Sequence, residues 1–211
     1  MDLLRRCMNE LPLVAILRGI TPEEVPAALD ALVSAGFRII EVPLNSPRPF
    51  DSLAHLVKRA GADVLIGAGT VLDIVQVKQV AAVGAQLVVA PNCNPAVIGA
   101  AKGLGMVALP GVATPSEAFA ALAAGADGLK MFPGEMLPPK ALKAWRAVLP
   151  EGTLLLPVGD VVPENMAEYI AAGANGFGIG SALYRPGITA PALHDRAARF
   201  AADWWRFSAK S

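Results

Sequence analysis

One lysine lies inside an apolar run, residues 128–132, that is typical of a buried strand. Burying an ammonium group without a partner costs several kcal/mol, so Lys130 requires a reason beyond packing. Desolvation also lowers the pKa of an amine, and a neutral lysine is a nucleophile that forms imines with ketones. The alternative is a structural lysine that reaches the strand end or pairs with a carboxylate.

Glu41 is also embedded in an apolar run, residues 39–42, and Arg18 ends another one, residues 13–17. A buried glutamate beside a lysine could carry the protons that imine chemistry moves. The guanidinium of Arg18 could hold a substrate carboxylate or orient Glu41. Both residues could instead form a structural ion pair, which does not exclude catalysis.

Two glycine-rich turns offer backbone amides to an anionic ligand. Residues 67–70 end in Thr70, whose hydroxyl suits a carboxylate or keto oxygen, although such turns often use glycine for geometry alone. Residues 178–181 end in Ser181, and together with Gly159 they predict a phosphate site.

Metal chemistry is not indicated. The chain has two cysteines, Cys7 and Cys93, and two histidines, His55 and His194, which are too scattered for a zinc site. We therefore expect neither a metal nor a cofactor, and Cys93 is interpreted as a bystander.

The elements that position these residues repeat along the chain. Short apolar runs recur eight times, at residues 13–17, 39–42, 64–66, 87–90, 106–109, 128–132, 154–158 and 176–179. Capped, alanine-rich helical segments separate them, with starts at Thr21, Leu72-Asp73, Thr114 and Val162. Continuous apolarity favours parallel strands that are buried on both faces. We therefore predict an α/β protein, a single (β/α)8 TIM barrel over residues 1–211 with an extra N-terminal helix over residues 1–10; the alternative is a doubly wound open sheet.

Composition narrows the possible partners and location. Hydrophobic residues make up 54% of the chain, charged residues 17%, and the formal net charge is +0, which argues against a nucleic-acid partner. No apolar run is long enough to cross a bilayer, and the first ten residues, which include Asp2, lack the apolar core of a signal peptide. A cytoplasmic location is expected, which also suits two reduced thiols.

The ordered set of motifs resembles the class I aldolases of 2-keto-3-deoxy-6-phospho sugar acids. The matching segments are ILRGITP (16–22), EVPLNS (41–46), GAGTVL (67–72), LKMFP (129–133), PEN (163–165) and GIGS (178–181). Asn45 and Val158 resemble the 6-phosphogalactonate branch rather than the 6-phosphogluconate branch. The resemblance implies reversible cleavage of 2-dehydro-3-deoxy-6-phosphogalactonate to pyruvate and glyceraldehyde 3-phosphate, and a homotrimer.

By this resemblance Lys130 forms the imine and Glu41 shuttles protons. Arg18 and Thr70 hold the carboxylate or orient Glu41, while Gly159 and Ser181 receive the phosphate. One position departs from the family pattern, because Asp160 stands where a second glycine is usual, and its carboxylate would repel a phosphate. The alternatives are therefore the gluconate epimer, a non-phosphorylated 2-keto-3-deoxy acid, or a catalytically weakened barrel that serves as an assembly scaffold.

The predicted helix over residues 73–83 is apolar around more of its circumference than an outer helix needs. Ordinary packing under neighbouring helices is one explanation. The other is a protein interface that extends the assembly beyond a trimer.

Overall fold

The computed structural model of the chain describes residues 3–209. Its strands are β1 (Leu13–Ile16), β2 (Ile39–Pro43), β3 (Leu65–Gly69), β4 (Leu87–Val89), β5 (Val107–Leu109), β6 (Gly111–Val112), β7 (Leu129–Met131), β8 (Leu155–Pro157) and β9 (Phe177–Ile179). Its α-helices are α1 (Leu3–Glu10), α2 (Val25–Ser34), α3 (Pro49–Arg59), α4 (Ile74–Ala82), α5 (Pro95–Gly103), α6 (Pro115–Ala123), α7 (Pro139–Arg146), α8 (Pro163–Ala171) and α9 (Ala190–Ser208). The α/β class is confirmed, and so is the N-terminal helix from Leu3 onward; the first two residues of its predicted range, including Asp2, lie outside the described residues.

The prediction of a closed eight-stranded TIM barrel is wrong. The strands form a six-stranded parallel half-barrel in the order β5-β4-β3-β2-β1-β9 and a separate three-stranded sheet in the order β6-β7-β8. One isolated bridge, between Val158 and Gly178, connects the small sheet to β9. The structure therefore has two seams. One lies between β5 and the segment that leads into β7, where β5 passes into β6 through Pro110, and the other lies between β8 and β9.

Each seam has the same physical cause. At the first, the Ala108 N–H donates to the Asp127 carboxylate at 2.8 Å instead of to a strand, and the next residue on that edge is Pro110, which has no N–H. At the second, the Leu155 N–H donates to Asn175 Oδ1 at 2.8 Å, and the next residue on that edge is Pro157. A side chain and a proline thus remove two successive donors from each edge. The carbonyls still accept, from Asp127 and Lys130 at the first seam and from Asn175 at the second, but the regular ladder is interrupted.

Strand alternation decides which side chains face the interior. Ile40 and Val42 of β2 pack in the large cluster under the helices, whereas Ile39 belongs to a second cluster on the opposite face of the strands. Because successive side chains point to opposite faces, Glu41 lies on the same inner face as Ile39. In β7, Leu129 and Met131 pack under the helices, which places Lys130 on that inner face too.

Helix starts follow the predicted caps except at α2. Thr114 Oγ1 accepts from the Glu117 N–H, and Asp73 Oδ1 accepts from the Gln76 N–H at 2.8 Å, which confirms the starts of α6 and α4. The expected start at Thr21 is wrong, because Glu24 Oε2 accepts from the Thr21 N–H at 2.9 Å in a turn and α2 begins at Val25. None of the described helices is long and apolar enough to cross a membrane.

Candidate active site

Lys130 is almost completely buried. Its side chain, at the centre of β7, retains 7% of its accessible surface, and Nζ lies 4.7 Å from the centroid of the Phe132 ring. Burial lowers the pKa of the Lys130 ammonium; the attraction of Glu41 acts in the opposite direction, and Arg18 lowers it further. The amine is therefore more often neutral, and more nucleophilic, than an exposed lysine at the same pH.

Glu41 is buried more deeply than Lys130, with 1% of its surface accessible. Burial raises its pKa to about 7, against the attraction of Lys130 and Arg18, which lower it. Its Oε2 atom has no hydrogen-bond partner in the part of the chain that the structure describes. A buried carboxyl group that titrates near neutrality, and has one oxygen without a hydrogen-bond partner, is suited to accept and return a proton.

Gly69, at the end of β3, leaves the space that the Glu41 carboxylate fills. A Cβ atom built on Gly69 would lie 1.9 Å from Oε2 of Glu41. β2 and β3 pair in parallel with Pro43 opposite Gly69, so this close approach follows from the strand register. Any larger residue at position 69 must displace the carboxylate.

Lys130 and Glu41 line one small cavity of about 10 Å³ between the two sheets. Above it opens a pocket of about 470 Å³, which Lys130, Phe132 and Arg18 also line. A volume of this size accommodates a small organic ligand. Among residues 3–209, neither Lys130 nor Arg18 forms a direct ion pair with Glu41, so the charges act on one another across this space.

Arg18 and Asn45 meet at the ends of their strands. Arg18 Nη1 donates to Asn45 Oδ1 at 2.8 Å, and the N–H of the following Gly19 donates to Ser46 Oγ at 2.9 Å. The two loops after β1 and β2 are thereby joined, and the guanidinium is held at the pocket. Thr70 follows Gly69 with φ of 56° and does not line the described pocket.

Val158, Gly159, Asp160 and Ser181 line the other part of the same pocket, after β8 and β9. Gly159 and Asp160 both have positive φ, 104° and 51° respectively. Two successive left-handed residues form a tight turn, and a glycine would adopt the second conformation with less strain than aspartate does. Asp160 is exposed where it lines the pocket.

Three residues that line or shape the site do not stand out in the sequence. Phe132 ends an apolar run, Gly69 belongs to a turn, and Arg185, which lines the pocket, is an arginine in a loop. The spacing of four residues between Ser181 and Arg185 in one helical turn was the available signal. No group of three or more potential metal ligands occurs among the described residues.

The chain was compared with known proteins. The family model "KDPG and KHG aldolase" matches residues 4–195. A probable 2-dehydro-3-deoxy-6-phosphogalactonate aldolase of Rhizobium meliloti (strain 1021) is 53% identical over 188 residues, 89% of each chain. A 2-dehydro-3-deoxy-6-phosphogalactonate aldolase of Escherichia coli (strain K12) is 49% identical over 192 residues, which is 91% of this chain and 94% of that one. The solved native KDPGal structure is 46% identical with a TM-score of 0.93, covering 96% of this chain and 98% of that chain.

Proposed function

Because the chain belongs to the KDPG and KHG aldolase family and is therefore a lyase, we propose that it reversibly cleaves 2-dehydro-3-deoxy-6-phosphogalactonate to pyruvate and D-glyceraldehyde 3-phosphate. The observation that carries this proposal is the buried pair of Lys130 and Glu41, which line one cavity beneath the pocket. Two relatives at about half identity over about nine tenths of the chain have names that give the same sugar acid.

Lys130 is the nucleophile of the proposed reaction. Its neutral amine adds to the C2 ketone and forms a carbinolamine, which loses water to give a protonated imine. The C4 hydroxyl then loses its proton, the C3–C4 bond breaks, and its electron pair moves through the enamine to the imine nitrogen. Glyceraldehyde 3-phosphate leaves, C3 of the enamine gains a proton, and water releases pyruvate from the lysine.

Glu41 is the proton carrier of these steps. With its pKa raised to about 7, the carboxyl group exists in both forms near neutral pH and can take the C4 proton and return one to C3. Its Oε2 has no hydrogen-bond partner among the described residues, so it can accept from a water molecule or a substrate hydroxyl. The lysine and the carboxyl group thus have separate roles.

The remaining predicted residues hold the two ends of the substrate. We assign the pyruvyl carboxylate to Arg18, with Asn45 fixing the guanidinium and Thr70 supporting Glu41 through the turn after β3. Gly159 and Ser181 receive the phosphate at the end that Asp160 shares. Val158 contacts the sugar chain and favours the galactonate epimer.

Reductive trapping tests the imine. Purified protein is incubated with pyruvate and sodium borohydride, and the modified residue is identified by peptide mass spectrometry. We expect one adduct, on Lys130, and none in Lys130→Met. The exposed variant Lys140→Met is the matched control and should trap as the wild type does. A wild-type protein without an adduct would refute class I chemistry.

Steady-state cleavage of defined substrates tests which sugar acid is used. Pyruvate release is measured with the phosphorylated galactonate acid, its C4 epimer and the non-phosphorylated analogue. We expect the highest kcat/KM for the phosphorylated galactonate acid. A preference for the non-phosphorylated acid would contradict the phosphate assignment, and adduct formation without turnover of any of the three would point to a scaffold role.

We also propose a homotrimer whose exposed apolar side chains at α4 make further subunit contacts. Leu72, Ile74 and Val75 leave 46%, 41% and 65% of their surface accessible, although Val77 and Val80 of the same helix are buried. Native mass spectrometry of the wild type and of Val75→Lys tests this proposal, with Val148→Lys, also at an exposed valine, as control. If no species larger than a trimer forms at any concentration, the α4 contact is refuted.

A cytoplasmic location is proposed as well, since Cys7 and Cys93 are both free thiols. Fractionation of the source cells followed by immunoblotting tests it. Recovery of the protein with the periplasmic or membrane fraction would contradict it.

A further inference from the structure

Arg185 lies beside the residues to which we assign the substrate phosphate. It lines the same pocket as Asp160 and Ser181, and its Nε donates to the carbonyl oxygen of Ser181 at 3.0 Å. In the described part of the chain no acid pairs with its guanidinium, whereas the surface residue Arg59 pairs with Asp30. The terminal nitrogens of Arg185 therefore remain available to a ligand.

The backbone around Arg185 is held on both sides. Tyr184 before it is buried, with 4% of its surface accessible, and the N–H of Gly187 after it donates to Glu24 Oε1 at 3.0 Å. Pro186 packs against Gly19, where a built Cβ atom would meet its Cγ at 2.8 Å. A guanidinium carried by a fixed backbone loses less entropy on binding an anion than one on a mobile loop.

A cation at this end of the pocket would offset a negative charge. Asp160 lines the pocket, whereas Glu135, whose carboxylate lies 2.8 Å from a Cβ atom built on Gly159, does not line it. A phosphate monoester carries about −1.5 to −2 charges at neutral pH, so it would meet the Asp160 carboxylate here. The described cations of the pocket other than Arg185 are Lys130, which the imine uses, and Arg18, which we assign to the other end.

We propose that Arg185 is a specificity-determining residue, whose guanidinium binds the distal phosphate of the substrate and offsets the charge of Asp160. The assignment rests on the proposed function, because it presumes a phosphorylated sugar acid in this pocket. Arginine suits the role, since its planar fork donates two parallel hydrogen bonds to phosphate oxygens. The chain thus retains affinity for phosphate although an acid occupies the turn after β8.

Kinetics on two substrates tests the proposal. Arg185→Gln should lower kcat/KM for the phosphorylated acid about tenfold or more, mainly through KM, because a charge-assisted hydrogen bond is lost. For the non-phosphorylated analogue, kcat/KM should stay within about twofold of the wild type. Arg196→Gln, an exposed change of equal charge on α9, is the control and should alter neither value. Equal losses on both substrates, or no loss on either, would overturn the assignment.

Direct binding separates this inference from the proposed chemistry. Calorimetry with glycerol 3-phosphate, which has no ketone, should give a Kd about tenfold weaker in Arg185→Gln and a smaller increase in Arg185→Lys. An unchanged Kd refutes the role of Arg185 even if pyruvate is trapped on Lys130. A weaker Kd together with a failed trap supports Arg185 as a phosphate ligand and refutes the imine mechanism instead. Circular dichroism verifies that each variant is folded.

Discussion

Replacing Glu41 by glutamine should change how the stability of the protein depends on pH. Burial raises the pKa of Glu41 from 4.5 to about 7 in the folded protein. At about 1.4 kcal/mol for each pKa unit, this difference corresponds to about 3 kcal/mol of unfolding free energy. The buried glutamine is of similar size and does not titrate, so the variant lacks this contribution.

The direction of this pH dependence follows from whether the folded or the unfolded protein holds the Glu41 proton at each pH. Below pH 4.5 Glu41 is protonated in both the folded and the unfolded state, and its favourable contribution is fully present. Between 4.5 and about 7 the unfolded chain releases the proton while the folded protein keeps it, so stability falls as the pH rises. Above about 7 the loss is complete, and the folded protein holds a buried carboxylate.

Urea unfolding of the wild type and Glu41→Gln from about pH 4 to about pH 8 measures this effect. We expect the wild-type unfolding free energy, minus that of the variant, to fall by about 3 kcal/mol across the range. Glu151→Gln, at an exposed site, is the matched control. In Lys130→Met the fall should move to higher pH, because the attraction of the ammonium is removed. A difference that stays level or rises with pH would refute the assignment of a raised pKa to Glu41.

Three further substitutions test the site. Lys130→Met should lose cleavage activity to the detection limit of a pyruvate-release assay and keep cooperative unfolding; residual turnover above a few per cent would contradict its role as nucleophile. Gly69→Ala should lower kcat on the order of 100-fold, because a Cβ atom 1.9 Å from Glu41 Oε2 displaces the proton carrier; normal kcat in a folded variant would contradict the positioning of Glu41 by this glycine. Asp160→Gly should raise the unfolding free energy by roughly 0.5–1 kcal/mol, because glycine adopts φ 51° without strain but loses more backbone entropy on folding. The same change should lower KM for the phosphorylated acid, because it removes a negative charge from the pocket. A lower melting temperature or a higher KM would argue against strain and repulsion at this position.

Local sequence patterns predicted the helices and strands better than they predicted whether the strands close into a barrel. Apolar runs located every strand except β6, and the Thr114 and Asp73 caps located the starts of α6 and α4, because these signals depend on neighbours within a few residues. The closed barrel was wrong because closure depends on whether distant edges offer free backbone donors. Nothing in the local pattern shows that Asp127 takes the Ala108 N–H or that Asn175 takes the Leu155 N–H.

The candidate site was predictable where a residue type conflicts with its surroundings. Lys130 and Glu41 are charges in apolar strands, and period-two alternation places each on one face of its strand. Arg185 and Gly69 conflict with nothing locally, since an arginine in a turn and a glycine at a strand end are ordinary. Their roles depend on the pocket and on the register of β2 with β3, which are properties of the fold.

The seams also determine the geometry of the lysine and the carboxyl group. Glu41 stands on the six-stranded sheet and Lys130 on the three-stranded sheet, so their separation depends on how the two sheets are joined. Side-chain networks supplement a few backbone hydrogen bonds at both seams: Lys102 Nζ donates to Asp127 at 2.7 Å, and Arg146 donates to Asn175, which in turn accepts from Leu155. Among the described residues, the backbone bonds that cross the seams are few and include Asp127 N–H to Ala108, Lys130 N–H to Pro110 and Asn175 N–H to Leu155. These charged and amide side chains therefore supply more of the constraint than side chains do within a continuous ladder. The geometry of the candidate site therefore also depends on residues that do not line the pocket.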